Sequence, residues 1–407
     1  MAEGVRKRGK TWSYYFDTAK IDGSRNKIEK GGFRTQKEAL DARAKAIAEY
    51  NNTGRTFSPT EISVADYLDY WLENAIKKNV GHGFSHNTYL GYESTTRLHL
   101  KPNFGAYRLS AFQYSPDVIQ QWVDNMKIKG YSRNMILNCL TCLSGALNYA
   151  IVPLKYIQAN PCTPVRIGKM PINKDVKEHT EYICSKEEFD RILERFPSSS
   201  HFHLSLIVPY NIGTRIGETF AIDFMNDIDF KNHEININNQ MSKINKTWFL
   251  KPPKYDSYRT IKMGKTIEQV LLEAFKERKK NKLKYGPHYL KTYVLPDNSI
   301  TQVRSDINVP YKEIMPLCVK DNGELLTPES FKYCSRVIHH ELGNTLFHSH
   351  CLRHTHGTIL AENGVNPKTV MERLGHKNIE TTLQTYTFNT DTMQQTAVDI
   401  FEKAMAK

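Results

Sequence analysis

"HSHCLRHTHGT", His348 to Thr358, decides how this chain is read, because it packs four histidines, a cysteine and an arginine into eleven residues. Two chemistries compete for it. His350 and His354 are four apart and can ligate zinc from one helix face, with Cys351 or His356 as a supplement. His350 and Arg353 are three apart and also share a helical face, where an imidazole and a guanidinium can reach one phosphate together. No glutamate follows His350 as in a hydrolytic zinc helix, and Arg353 would set a cation beside the metal. The phosphate reading is favoured, with His354 and His356 as packing or supporting residues and His348 in a loop.

The sequence on either side adds to it. "FHLSLIVPYNIGTRIGETFAIDF" (202–224) reads as an apolar helix interrupted by Gly213 and resuming around Arg215. An arginine in such a helix is costly unless an anion answers it, and Glu218, three residues on, is one candidate. A purely structural Arg-Glu pair is the plain alternative. "DIDFKNHEININNQMSKINKTWFLKPPKYDSYRTIKM" (227–263) alternates and carries turn residues, so a β-meander inserted among helices is expected, with Lys254 near a β-turn and Lys243, Lys246 and Lys251 close by. "RLGHKNIETTLQTY" (373–386) supplies His376 after a glycine and Tyr386 ten residues later. Ser185 and Glu188 form a capping box where this unit opens, and from Ser330 to the end the pattern is helical.

Composition agrees with a phosphate-bearing partner. The 407 residues are long enough for two or three domains, and 40% apolar with 24% charged residues is ordinary for a globular chain. Lys plus Arg exceed Asp plus Glu by 56 to 43, a net charge of +13 that favours a polyanion, nucleic acid before a membrane surface. No stretch approaches a membrane span and the start lacks a signal-peptide core, so a cytoplasmic protein is expected. Seven scattered cysteines fit reduced thiols, and "CLTC" (139–142) fits core thiols on a helix.

Two further units precede the motif-bearing one. Residues 1–58 hold 13 Lys or Arg against 7 Asp or Glu and read as three strands followed by a helix, whose start carries a Thr35/Glu38 capping box. Arg25 and Lys27 on one strand, with Tyr14 and Phe16 on the preceding one, are expected to make a basic, aromatic surface for a DNA groove. A small solvated domain is the alternative. Residues 62–166 carry four stretches of helical periodicity, with Ser115-Pro116 as a helix start, and read as an all-α domain. Residues 167–182 read as a linker and 183–407 as the largest unit.

Two arginines, two histidines, a lysine and a late tyrosine suffice to break a phosphodiester without metal. With "GTRIGE" at Arg215, "KPPKYDSYRTI" at Lys254, "HCLRHT" at His350 and Arg353, "LGH" at His376 and "TTLQTY" at Tyr386, the chain resembles a tyrosine recombinase of the phage-integrase family, and in particular integrases of conjugative transposons and other integrative elements. The resemblance implies a multidomain α+β fold: an arm-site DNA-binding module, an all-α core-site DNA-binding domain, and a mainly helical catalytic domain with an inserted β-meander. It implies integration and excision of a mobile element through a 3′-phosphotyrosyl intermediate, with no cofactor and no metal. Tyr386 would attack, Arg215 and Arg353 clamp the phosphate, Lys254 protonate the leaving 5′-oxygen, His350 accept the tyrosine proton and His376 hydrogen-bond the phosphate. The implied partners are duplex DNA at core and arm-type sites, three further copies in a homotetramer joined by C-terminal helix exchange, and an accessory excision factor, on a bacterial nucleoid. Phe388 departs from the histidine that many members have two positions after the nucleophile. A type IB topoisomerase shares this kind of site but does not account for the N-terminal module. A non-catalytic DNA-binding regulator needs no such set of residues.

Overall fold

The computed structural model describes residues 4–21, 24–53, 62–81, 83–170, 182–380 and 391–405. The chain divides into two compact units, residues 1–174 and 175–407.

The N-terminal module is a three-stranded antiparallel sheet, β1 (Val5–Arg8), β2 (Thr11–Ile21) and β3 (Ser24–Phe33), with β2 central. One helix, α1 (Gln36–Thr53), packs on one face. The capping box forms as read: the Glu38 N–H donates to Thr35 Oγ1 (3.2 Å) and the Thr35 N–H to the Glu38 carboxylate (3.4 Å). Alternation along β2 settles which aromatic side chains are covered. Tyr14 and Phe16 are buried with Val5 against Ala39 of α1. Their expected place on a DNA-facing surface is therefore corrected. The register pairs Tyr15 with Glu29 and Asp17 with Lys27, so Lys27 shares the outer face with Tyr15. Its Nζ lies 3.6 Å from the centre of the Tyr15 ring. The Arg25 side chain lies outside the described residues.

The helical part of the first unit runs through α2 (Val64–Trp71), α3 (His86–Thr95), α4 (Lys101–Phe104), α5 (Leu109–Phe112), α6 (Pro116–Ile128) and α7 (Arg133–Ile151). Pro116 opens α6, where its missing N–H costs nothing. The Ser132 hydroxyl caps α7 by accepting from the Met135 N–H (3.2 Å). Apolar faces converge on a core that includes Leu68, Trp71, Phe104, Trp122 and Leu143. Cys139 and Cys142 lie inside it, and burial raises both thiols, to about 11 and about 12, as inert core residues.

The second unit opens with α8 (Lys186–Arg195), whose Ser185/Glu188 capping box is complete on both sides. It continues with α9 (His203–Ile212) and α10 (Ile216–Ala221). The expected meander is two pieces. A three-stranded antiparallel sheet is formed by β4 (Ile228–Asp229), β5 (Glu234–Ile237) and β8 (Arg259–Lys262), and between β5 and β8 projects a hairpin of β6 (Gln240–Ile244) and β7 (Thr247–Lys251). After α11 (Lys265–Tyr285) comes a second sheet that the sequence reading did not identify: β9 (Leu290–Val294), flanked by β10 (Ile300–Arg304) and β11 (Lys312–Ile314). Helices α12 (Phe331–Glu341), α13 (Ser349–Glu362), α14 (Pro367–Leu374) and α15 (Asp391–Met405) complete the unit. Among the described residues no helix is long and apolar enough to cross a membrane.

Candidate active site

Gly213 begins the site. It ends α9 in the left-handed conformation (φ 78°), and a Cβ there would fall 2.7 Å from both His356 Cδ2 and Leu374 Cδ2. The chain then turns so that Arg215 sits in extended backbone (φ −70°, ψ 152°) as the cap of α10. Arg215 thus caps the second helix just past the break at Gly213, where the helical pattern resumes as read.

Glu218 and Arg215 do pair. The Arg215 N–H donates to Glu218 Oε2 (2.9 Å) and Nη1 to Oε1 (2.7 Å). A third party was not foreseen: Arg259 Nη2 donates to Glu218 Oε2 (2.7 Å) and Nη1 to Oε1 (3.3 Å). Burial by itself would raise the fully enclosed Glu218 carboxyl, but the hydrogen bond and charge of Arg259, with Arg215, leave it below its ordinary value. One anion between two guanidiniums leaves the cluster net positive.

That surplus charge faces the "RLGH" turn. Arg215 Nη2 donates to the Gly375 carbonyl (2.8 Å) and Arg259 Nε to the Arg373 carbonyl (2.9 Å), so the end of α14 is held from both sides. Gly375 closes α14 in the left-handed conformation (φ 68°) and presents His376 next to Arg215. From α13, Arg353 Nη1 donates to the Gly213 carbonyl (2.8 Å), and the whole side chain is enclosed. His376 is pulled down to about 3, by burial first and then by Arg353 and Arg215. His350 opens to solvent, yet the protein around its ring, then His354 and Arg353, also hold it below the ordinary imidazole value. Both rings are therefore held in the neutral form at physiological pH.

His356 supports this arrangement from behind. Its Nδ1 donates to the Tyr210 carbonyl (2.9 Å) while Nε2 accepts from Arg373 Nε (3.0 Å), a pattern only the neutral ring can satisfy. Burial, then the charge of Arg373, lowers it to about 4. The His350 and His354 rings meet edge to face, 4.5 Å between centres. Among the described residues, no three His, Cys, Asp or Glu side chains gather as a metal site would require.

Lys254 lies beyond β7 in a short turn, Lys254–Asp256, and not in the sheet itself. The turn is tied to the cluster because Arg215 Nη1 donates to Ser257 Oγ (3.4 Å) and Arg259 Nη1 to the Ser257 carbonyl (3.2 Å). Lys243, by contrast, is engaged with Glu329 (2.6 Å). Tyr386 lies outside the described residues. The structure thus brings Arg215, Arg353, His350, His376 and the Lys254 turn together, and adds Arg259, Arg373 and Ser257. Neither Arg259 nor Arg373 had a local signal in the sequence, the one being a cation on a short strand and the other a cation at a helix end.

Comparison with known proteins bears on the whole chain. The phage integrase family model matches residues 184–393, an arm DNA-binding domain model 5–50, and a phage integrase N-terminal SAM-like domain model 63–127. A tyrosine recombinase XerC-like protein of Caldanaerobacter subterraneus subsp. tengcongensis is 26% identical over 395 residues, which is 94% of this chain and 93% of that protein. The ICEBs1 integrase of Bacillus subtilis is 24% identical over 86% of each chain. Among solved structures, the Tn1549 transposon integrase in complex with transposon right end DNA superposes with a TM-score of 0.62 at 21% identity, over 83% of this chain and 99% of that one. The lambda integrase dimer bound to a core site does so with a TM-score of 0.53 at 15% identity, over 96% of each. The phage integrase family model alone takes in more than half of the sequence, and the chain accordingly belongs to the phage integrase family of tyrosine-type site-specific recombinases.

Proposed function

We propose that the chain integrates and excises a mobile element by cutting duplex DNA with Tyr386 and rejoining it to a second strand. The observation that carries this reading is the meeting of Arg215, Arg353 and His376 around the Gly213 and Gly375 carbonyls, a dense positive pocket with neutral imidazoles. In this scheme the Tyr386 oxygen bonds to phosphorus, the bond from phosphorus to the 5′-oxygen breaks, and a 3′-phosphotyrosyl link stores the energy for religation. His350 takes the phenolic proton and Lys254 gives one to the leaving oxygen. Arg215 and Arg353 stabilise the non-bridging oxygens, and His376 hydrogen-bonds to one of them. With Arg353 enclosed, its contact to phosphate requires that covering side chains move aside when DNA binds.

The basic outer face of the N-terminal module fits arm-type DNA, and the helical unit fits core-type DNA. Helix α15 shows Val398, Phe401 and Met405 to solvent, apolar groups at helical spacing that suit exchange with a neighbouring copy in a tetramer. An accessory excision factor and a place on the nucleoid complete the reading. Tyr386→Phe tests it: on a nicked suicide substrate, covalent protein-DNA adducts disappear while gel-shift affinity stays within a few fold. Adducts that persist in this variant assign the attack to another residue.

A further inference from the structure

The turn that carries Lys254 also carries an unusual neighbour. Tyr255 takes left-handed backbone (φ 64°, ψ 26°), and Asp256 follows it there (φ 52°). Aspartate tolerates that region; a bulky aromatic residue seldom occupies it. Nor does burial explain the tyrosine, whose side chain is 60% exposed. What the conformation achieves is placement: the Lys254 ammonium lies 4.9 Å from the centre of the Tyr255 ring and that of Lys377, from the turn after His376, lies 5.9 Å from it. The same turn is bonded through Ser257 to Arg215.

We infer that Tyr255 is a positioning residue for Lys254, its ring face holding the ammonium at the mouth of the arginine cluster so that a proton is ready for the leaving 5′-oxygen. The inference rests on the proposed role of Lys254. Lysine has a long, mobile stem, and a cation held over a ring samples fewer positions than one free in water. In the step concerned, the Tyr386 oxygen to phosphorus bond forms, the phosphorus to 5′-oxygen bond breaks, and the Lys254 N–H proton passes to that oxygen. Strain held in a non-glycine left-handed turn is what functional placement leads one to expect.

The test uses the full-length protein and two suicide substrates, one ordinary and one with sulfur in place of the bridging 5′-oxygen. A thiolate leaves without a proton, so sulfur bypasses the general acid. Lys254→Ala should be slow on oxygen and restored on sulfur. Tyr255→Ala should be slowed on oxygen by about two- to fivefold, the loss expected for one cation-ring contact, and should match the unchanged protein on sulfur. Tyr255→Phe keeps the ring and should behave as tyrosine on both. Tyr255→Gly suits the left-handed backbone, so it secures the fold while removing the ring, and should follow the alanine variant. Equal slowing of Tyr255→Ala on both substrates, or none on oxygen, overturns the positioning role while Lys254 keeps its own. Failure of sulfur to restore Lys254→Ala removes the general-acid reading and the inference with it.

Discussion

The Glu218 carboxylate holds Arg215 twice, through the arginine's backbone N–H and through its guanidinium, and so fixes both where the residue starts and where it points. Because Arg259 shares that carboxylate, removing the charge leaves two guanidiniums facing each other in a buried place. Glu218→Gln should therefore lose on the order of 3 kcal/mol in denaturant unfolding, as for breaking a buried pair from one side, and cleave slowly with DNA binding largely kept. The acid response follows from the lowered Glu218 carboxyl. A folded-state value below the ordinary 4.5 means that this stabilisation is complete above pH 4.5 and is lost as pH falls through the folded value. The glutamine variant should lack that component, so its unfolding midpoint should change less with pH below that point. An identical acid profile in the two proteins would show that Glu218 is not the anion that matters.

Gly213 offers a second test, because its carbonyl accepts from Arg353 while its α-carbon is pressed by His356 and Leu374. Gly213→Ala asks an L residue to keep φ 78° and forces a Cβ to within 2.7 Å of two side chains. Left-handed strain of roughly 1 to 2 kcal/mol and overpacking of about 1 to 3 kcal/mol should add. The thermal midpoint should drop, and cleavage should fall further than the folded fraction explains, since Arg353 moves with the carbonyl. A variant with normal melting and normal cleavage would mean that the backbone here has more room than its neighbours suggest.

How much of this was legible beforehand depends on whether a signal was local. Capping boxes at Thr35 and Ser185 and the helix start at Pro116 are read from three or four adjacent residues, and they form as read. The positions of Arg215, His350, Arg353 and His376 are marked by short motifs, so the cluster was visible as a set before any fold was known. Arg259 and Arg373 were not, because their roles arise from contacts distant in sequence, 41 residues away to Glu218 for Arg259, and 17 to His356 and 111 to Lys262 for Arg373. The sheet around β9 was missed because "LKTYV" and "ITQVR" are short and mixed in polarity. The parity of β2 was misjudged for another reason. Aromatic residues at 14, 15 and 16 run consecutively, and only the position of α1 decides which of them face inward.

That parity sets the last prediction, in which neighbouring tyrosines should fail in opposite ways. Tyr14 is 6% exposed in a small core, so Tyr14→Ala should cost about 3 to 5 kcal/mol, enough to unfold a module with so few buried residues. Limited proteolysis of the full-length variant should then remove the first fifty or so residues while the rest of the chain survives. Tyr15 and Lys27 lie together on the outer face, where Arg6 and Arg8 also pair with Glu29. Tyr15→Ala and Lys27→Ala should resist the protease as the unchanged protein does and lose affinity for arm-type DNA. If Lys27 neutralises one phosphate, its loss should also reduce the slope of log affinity against log salt by about 0.9, whereas Tyr15→Ala, which removes no charge, should leave the slope as it was. Anisotropy titrations at several salt concentrations separate the two. Arm-DNA affinity unaffected by both outer-face variants would rule this face out as the binding surface.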